Sequence, residues 1–171
     1  MSTSAAAAAV TATAQSKTSA EGRDLVLVRE FEATPEKVYR AWTDPELITQ
    51  WFTLGTWRAV KAELNVRPGG SSLVTMRGTD GAEFPNRDVY LEVVPNKRLV
   101  LTDAYTSAWV PSEQPFMTVT LTFDDLGGGR TRYTARVSHW SIADREQHEQ
   151  MGFHQNWPVA TEQLAALVAK L

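Results

Sequence analysis

The 171-residue sequence contains no cysteine. This absence excludes disulfides, thiol nucleophiles and zinc–thiolate sites, and it gives no reason to expect a secreted, disulfide-stabilised scaffold. No apolar run reaches the roughly eighteen residues that a membrane-spanning helix requires. The first residues also lack the basic segment and the large aliphatic side chains of a secretion signal. We therefore expect a cytoplasmic protein that does not enter a membrane.

The sequence has no excess of positive charge. Its 17 Lys and Arg residues and 20 Asp and Glu residues give a net charge of −3. Proteins bind a nucleic-acid backbone through a concentrated basic surface. No nucleic-acid partner is therefore expected.

Histidine is scarce, with three residues in the whole chain. His148 and His154 are six positions apart, whereas two metal ligands on one helix face stand three or four apart. Nucleophile elbows and glycine-rich phosphate loops are also missing. The sequence thus predicts no metal site and no other cofactor.

Residues 1–22 consist mainly of Ala, Ser and Thr and have no amphipathic face that a core would bury. We predict a disordered tail there. Residues 23–171 remain, which is enough for one domain with a substantial hydrophobic core.

The first two thirds of this domain show the patterns of strands and short helices. Apolar residues alternate from Asp24 to Glu32, which predicts a strand. Pro35 and Pro45 each follow a capping residue, so two short helices should begin there. Residues 57–140 contain further alternating segments separated by hairpin turns, which predicts an antiparallel meander. The irregular segment 106–115 is long enough to be a functional loop.

The last thirty residues, from Ser141 to Leu171, are predicted to form one long helix. Ser141 and Asp144 have the spacing of a capping box. Pro158 removes one backbone amide and predicts a kink. Apolar side chains recur at steps of four and three and so share one helix face that must pack on the sheet. They are Phe153, Trp157, Ala160, Leu164, Leu167 and Leu171.

Several short motifs carry a family resemblance. The first is a set of aromatic, alanine and proline positions within residues 31–52. Its members are Phe31, Ala33, Val38, Tyr39, Ala41, Trp42, Thr43, Asp44, Pro45, Leu47, Trp51 and Phe52. Further matches are the turn at 67–70, the segments 84–92 and 95–101, and positions in the last helix. Those positions are Met151, Gly152, Trp157 and Leu164.

Together these motifs resemble the START-like (SRPBCC) superfamily, in the branch named for activators of the heat-shock protein 90 ATPase. The resemblance implies an α+β helix-grip fold. In that fold a curved antiparallel sheet wraps around a long C-terminal helix, and two short helices follow the first strand. It also implies a cavity between the sheet and the helix.

The function that we expect from this fold is the binding of a small, mainly apolar molecule, without catalysis. Asp103 and Tyr105 share a strand face with apolar residues, Trp109 lies in the long loop, and His154 stands next to an apolar helix position. The candidate lining residues are Trp42, Met76, Asp103, Tyr105, Trp109, His154, Trp157 and Pro158. The sequence leaves open whether the protein is a monomer or a homodimer.

Two other functions stay open from the resemblance. One is a co-chaperone that activates the ATPase of heat-shock protein 90, which makes that chaperone a candidate partner. The other is a cyclase-like enzyme related to polyketide cyclases, with His154 as general base beside Asp103 or Tyr105. Arg77, Asp88 and Asp103 are also expected to form an ion network on the sheet, with the orientation of a ligand as the alternative.

Overall fold

A nine-stranded antiparallel sheet curves around the C-terminal helix in the computed structural model, which describes residues 15–171. The strands are β1 (Lys17–Glu21), β2 (Asp24–Phe31), β3 (Thr53–Leu54), β4 (Trp57–Leu64), β5 (Ser71–Arg77), β6 (Glu83–Val94), β7 (Arg98–Thr102), β8 (Tyr105–Ser107), β9 (Val110–Pro111), β10 (Thr118–Gly127) and β11 (Arg130–Ser138). The helices are α1 (Pro35–Thr43), α2 (Pro45–Trp51), α3 (Ile142–Gln150) and α4 (Phe153–Val168). The order in the sheet is β1-β2-β11-β10-β7-β6-β5-β4-β3, while β8 and β9 form a separate hairpin. This arrangement confirms the predicted α+β helix-grip fold.

Local signals place the first strand and the two short helices. Leu25, Leu27 and Phe31 of β2 are buried, as the alternation requires. The carboxylate of Asp44 accepts hydrogen bonds from the first amides of α2. Both short helices begin with proline, whose missing amide costs nothing in a first turn.

The hairpins of the meander form where the turns were predicted. Strand β5 pairs with β6, β6 with β7, and β10 with β11, all antiparallel. At the β6–β7 turn, Asn96 adopts a φ of 63°, the left-handed conformation that asparagine tolerates better than most residues. The long segment between β7 and β10 contains the small β8–β9 hairpin.

The N-terminal boundary of the domain differs from the prediction. Residues 17–21 form strand β1, which pairs antiparallel with β2. The predicted end of the tail at residue 22 is therefore wrong. These residues are polar and mostly exposed on a sheet edge, so they lack the alternation that identifies a half-buried strand. Residues 1–14 of the predicted tail lie outside the described residues.

The predicted single C-terminal helix is in fact two helices. Ser141 caps α3, since its hydroxyl oxygen accepts a hydrogen bond from the Asp144 amide at 3.1 Å. The helical conformation is then interrupted at Gly152, whose φ of 101° lies outside the range of a right-handed helix. Helix α4 starts at the next residue and continues through Pro158. The proline therefore does not end the helix.

Helix α4 packs its apolar face into the core, as its periodicity predicts. Phe153, Leu164 and Val168 are buried together with residues of the sheet. A half-buried ion pair adds to this contact, because the buried Arg29 of β2 donates two hydrogen bonds to the half-exposed Glu162 carboxylate, at 2.8 and 2.9 Å. Within residues 15–171, no helix combines the length and the hydropathy needed to cross a bilayer.

A candidate ligand-binding pocket

A pocket of about 610 Å³ lies between the sheet and the junction of α3 with α4. Three distant segments supply most of its wall: the β3–β4 turn, the start of β6, and the helix junction. Two residues that precede β10 complete the wall together with Asp103. The lining residues are Thr53, Leu54, Gly55, Thr56, Trp57, Phe84, Asn86, Asp103, Phe116, Met117, His148, Met151, Gly152, Phe153, Asn156 and Trp157.

Aromatic rings make up much of the pocket wall. Trp57 and Phe84 meet edge to face, with ring centroids 4.9 Å apart. On the opposite side, Phe153 and Trp157 are 5.0 Å apart on successive turns of α4. Met151 also lines the pocket and is 61% exposed, which places an opening to solvent beside it. Such a wall suits a planar apolar molecule, because aromatic pairs add energy beyond simple burial.

Two glycines allow the backbone to approach Asn156 closely. A Cβ atom on Gly152 would lie 2.7 Å from the Asn156 Nδ2 atom, and one on Gly55 would lie 3.5 Å from the same atom. Both glycines have positive φ values, which other residues rarely adopt. The amide of Asn156 is thereby held between the β3–β4 turn and the helix junction, at the pocket wall.

The polar side chains that line the pocket carry no positive charge. None of the described residues that line it is Lys or Arg. Asp103 contributes the carboxyl group of the pocket lining. Its Oδ1 atom accepts hydrogen bonds from the backbone amides of Phe116 and Met117 at 2.8 and 3.0 Å. Burial raises the pKa of Asp103, although these amides and His139 oppose the rise. The pocket thus offers no cation to an anionic ligand.

A second cavity, of about 30 Å³, lies behind the first under α1 and α2. Asn86 lines both cavities, and Asp88 lines the small one. Burial and the neighbouring Asp103 raise the pKa of Asp88 to about 7. Arg77 instead forms a salt bridge with Glu83 at 2.6 Å. The prediction that Arg77 forms an ion network with Asp88 and Asp103 is therefore wrong for Arg77.

Two buried histidines form a hydrogen-bonded pair at the pocket. The Nδ1 atom of His139 lies 2.9 Å from the carbonyl oxygen of Arg23, and its Nε2 atom lies 2.9 Å from the Nδ1 atom of His148. His148 lines the pocket and contacts the ring of Phe116, with centroids 4.9 Å apart. Burial, followed by the proximity of His139 and His154, lowers the pKa of His148 to about 4.

Sequence reasoning missed this pair. His139 follows β11 and His148 lies in α3, so no spacing within one element relates them. The residues around His148 in α3 are mostly polar, so no apolar period in the sequence marks it as an inward-facing position.

Two of the eight predicted lining residues, Asp103 and Trp157, line the large pocket. Trp42 lines the small cavity and packs against Trp51, 4.8 Å away. Met76 is fully buried in the core. Pro158 and Tyr105 line neither cavity. Strand alternation and helix spacing identify the face on which a residue lies, but not the depth at which that face opens, so the sequence could not separate these positions from the pocket wall.

His154 does not line the pocket either, which corrects its predicted orientation. Its Nδ1 atom lies 2.7 Å from the hydroxyl of Thr18 in β1, and its Nε2 atom lies 2.7 Å from the carboxylate of Glu149. Both ring nitrogens are therefore engaged on the side of α4 that meets β1. The enzyme hypothesis loses the general base that it named.

Trp109 projects from the β8–β9 hairpin and is 86% exposed. Its nearest aromatic neighbour is Tyr105, with ring centroids 6.2 Å apart. It contributes nothing to the wall of either cavity. Among residues 15–171, no group of three or more His, Asp or Glu side chains is arranged to hold a metal ion.

Comparisons with solved structures agree with this architecture. A protein from Nitrosomonas europaea is 35% identical, with a TM-score of 0.81 over 86% of this chain and 94% of that one. A protein from Chromobacterium violaceum is 26% identical, with a TM-score of 0.65 over 85% and 96% of the two chains. CalU16 from Micromonospora echinospora, at 19% identity and a TM-score of 0.59 over 91% and 83%, shares the fold. No curated protein matches the sequence.

A family model described as "Activator of Hsp90 ATPase homolog 1-like protein" matches residues 32–169. This range includes both short helices, the sheet from β3 onward and α4. It also includes every residue that lines the two cavities. The chain therefore belongs to the activator of Hsp90 ATPase homolog 1-like family, within the START-like (SRPBCC) superfamily.

Proposed function

We propose that the protein binds a small, mainly apolar molecule in the pocket beside the α3–α4 junction. The observation that carries this proposal is a pocket of about 610 Å³, open to solvent and lined by aromatic rings and a few polar groups. Ligand sites in proteins typically have volumes of about 300–1,000 Å³ and this kind of wall.

The wall also suggests how a ligand is held. Trp57 and Phe84 form one side, and Phe153 and Trp157 form the other, so a flat molecule would contact rings on both faces. The opening beside Met151 gives it a route from solvent. A flexible methionine at that position adapts to guests of different shape.

Native mass spectrometry of the freshly purified protein tests this proposal. A bound small molecule should appear as a mass that is lost on denaturation. In parallel, naphthalene is titrated while the emission of tryptophan is recorded, because Trp57 and Trp157 line the pocket. Saturable quenching at micromolar concentration is the expected result.

A matched pair of variants locates the site. Thr53→Phe places a ring in the pocket from the short strand β3 and should abolish both signals. Thr122→Phe makes the same change at a half-buried position of β10 outside both cavities, and it should leave binding unchanged. Equal behaviour of the two variants, or no binding by the native chain, would refute the proposal.

The family match favours a second candidate function, activation of the heat-shock protein 90 ATPase. In this case the purified chain should raise ATP turnover by heat-shock protein 90, and Thr53→Phe should not change that effect because the pocket is not required. Unchanged turnover at saturating concentrations of this protein would eliminate the candidate.

A further inference from the structure

We propose that the Nε2 atom of His148 is a fixed hydrogen-bond acceptor in the pocket, and that it selects an uncharged aromatic ligand carrying a hydroxyl group. This inference rests on the proposed binding function and names the chemical class of the ligand. It depends on where the protons of the histidine pair must lie, which the neighbouring atoms determine.

The first proton is placed by the backbone. The carbonyl oxygen of Arg23 can only accept a hydrogen bond, and it lies 2.9 Å from the Nδ1 atom of His139. That nitrogen must therefore carry a hydrogen. We take the ring of His139 to be neutral, and a neutral imidazole has one N–H group, so its Nε2 atom is left as an acceptor.

The second proton follows from the first. The Nε2 atom of His139 lies 2.9 Å from the Nδ1 atom of His148, and one of the two nitrogens must donate. Since His139 accepts, His148 carries its hydrogen on Nδ1, and its Nε2 atom keeps a lone pair. Among the hydrogen bonds of residues 15–171, this nitrogen takes part in none.

The surroundings keep the ring of His148 neutral. It is 7% exposed and is packed against Phe116, Phe153 and Trp157, with centroids 4.9, 5.2 and 6.1 Å away. Burial lowers its pKa to about 4, and the nearby rings of His139 and His154 add to the effect. An acceptor that stays unpaired when a ligand displaces water from the pocket costs free energy, so a ligand that donates a hydrogen bond to this nitrogen is favoured.

The remaining wall narrows the class of ligand. With no Lys or Arg in the lining and with Asp103 beside the pair, a carboxylate or phosphate has no cation to meet. The aromatic rings favour a planar hydrocarbon body. A phenol, naphthol or enol combines such a body with one hydroxyl donor for the Nε2 atom.

Binding of 1-naphthol and naphthalene tests the inference, since these probes differ by one hydroxyl group. The native chain should bind 1-naphthol about tenfold more tightly than naphthalene, the ratio expected for one hydrogen bond to a buried acceptor. His148→Phe keeps an aromatic ring and removes both nitrogens, so the two probes should then bind equally well. His154→Phe, outside the pocket, should preserve the tenfold preference.

A second measurement does not require a folded variant. Nitrogen-15 NMR of the native protein distinguishes protonated from bare imidazole nitrogens. We expect His148 to show a protonated Nδ1 and a bare Nε2 at pH 7, and the bare nitrogen to shift on addition of 1-naphthol.

The outcomes separate the two proposals. If naphthalene binds and 1-naphthol binds no better, or if Nε2 of His148 is protonated at pH 7, the selective acceptor is refuted while the binding function stands. If neither probe binds to the native chain, the binding function fails, and the selective acceptor fails with it.

Discussion

His139 and His148 join the end of the sheet to helix α3 through a 2.9 Å contact between Nε2 and Nδ1. His139 also contacts the carbonyl oxygen of Arg23, and His148 lines the pocket. In the proposed arrangement, a backbone oxygen near the start of β2 therefore determines the proton position on a side chain that lines the pocket. This relay also has a consequence for the response of the protein to acid.

Stability should fall as the pH drops from 6.5 to 4. In the native state the pKa of His148 is about 4, below its ordinary value of 6.5, so the unfolded chain binds a proton in this window that the native chain does not. The stabilisation is complete above pH 6.5 and is lost on acidification, by on the order of 3 kcal/mol at pH 4. Urea unfolding at several pH values, compared between the native chain and His148→Phe, measures it.

The difference in unfolding free energy between these two proteins should shrink from pH 7 to pH 4. The titratable side chains near the ring are His139 and His154, and they are present in both proteins. A difference that stays constant across this range would contradict the role of His148.

Asp88 should have the opposite effect on stability. Its native pKa is about 7, above the ordinary value of 3.8, so the native chain binds more protons than the unfolded chain between these values. Its contribution is complete below pH 3.8 and is lost as the pH rises through 7. Asp88→Asn removes the buried charge and should raise the unfolding free energy at pH 8 by about 1–2 kcal/mol, with little effect at pH 4. Asp124→Asn, on the exposed side of β10, is the control and should change neither value.

Breaking the ion pair between β2 and α4 should destabilise the fold. Arg29 is 7% exposed, and Glu162→Gln would leave its guanidinium without a charged partner. We expect a loss of about 2 kcal/mol in urea unfolding, because the carboxylate side of the pair is half exposed. The double variant Arg29→Met with Glu162→Gln should recover part of this loss. A double variant that is less stable than Glu162→Gln alone would show that the guanidinium contributes mainly through its position over the ring of Phe31.

Replacing the glycine at the α3–α4 junction should cost more than replacing a glycine in an open turn. Gly152→Ala forces a non-glycine residue to a φ of 101° and brings its Cβ to 2.7 Å from Asn156, so we expect a loss of about 1–3 kcal/mol. Gly128→Ala has a φ of 64° and no atom within 4 Å of the added carbon. It should cost about 1 kcal/mol. Equal melting temperatures for the two variants would mean that the junction relaxes freely.

Much of the fold could be predicted because the relevant signals are local. Alternation identified β2, proline with a capping residue identified α1 and α2, and the helical period placed Phe153 and Leu164 in the core. Each of these patterns reflects burial of one face, which a sequence records directly.

The missed features depend on contacts that a sequence does not record. Strand β1 is held by hydrogen bonds to β2 and by the contact of Thr18 with His154, so its polar residues carry no periodic signal. The break at Gly152 depends on the close approach of Asn156. The pocket is assembled from segments around residues 53, 84 and 153, whose proximity is a property of the whole sheet.

Asn86 lines both the large pocket and the small cavity behind it. Its side chain, in β6, therefore lies where the large pocket meets the small cavity. We expect it to limit how deep a ligand can bind. Shortening it to alanine would join the two compartments and admit a longer molecule, which would then end against the carboxyl group of Asp88. In the proposed binding mode, this single amide limits the length of the ligand that the pocket accepts.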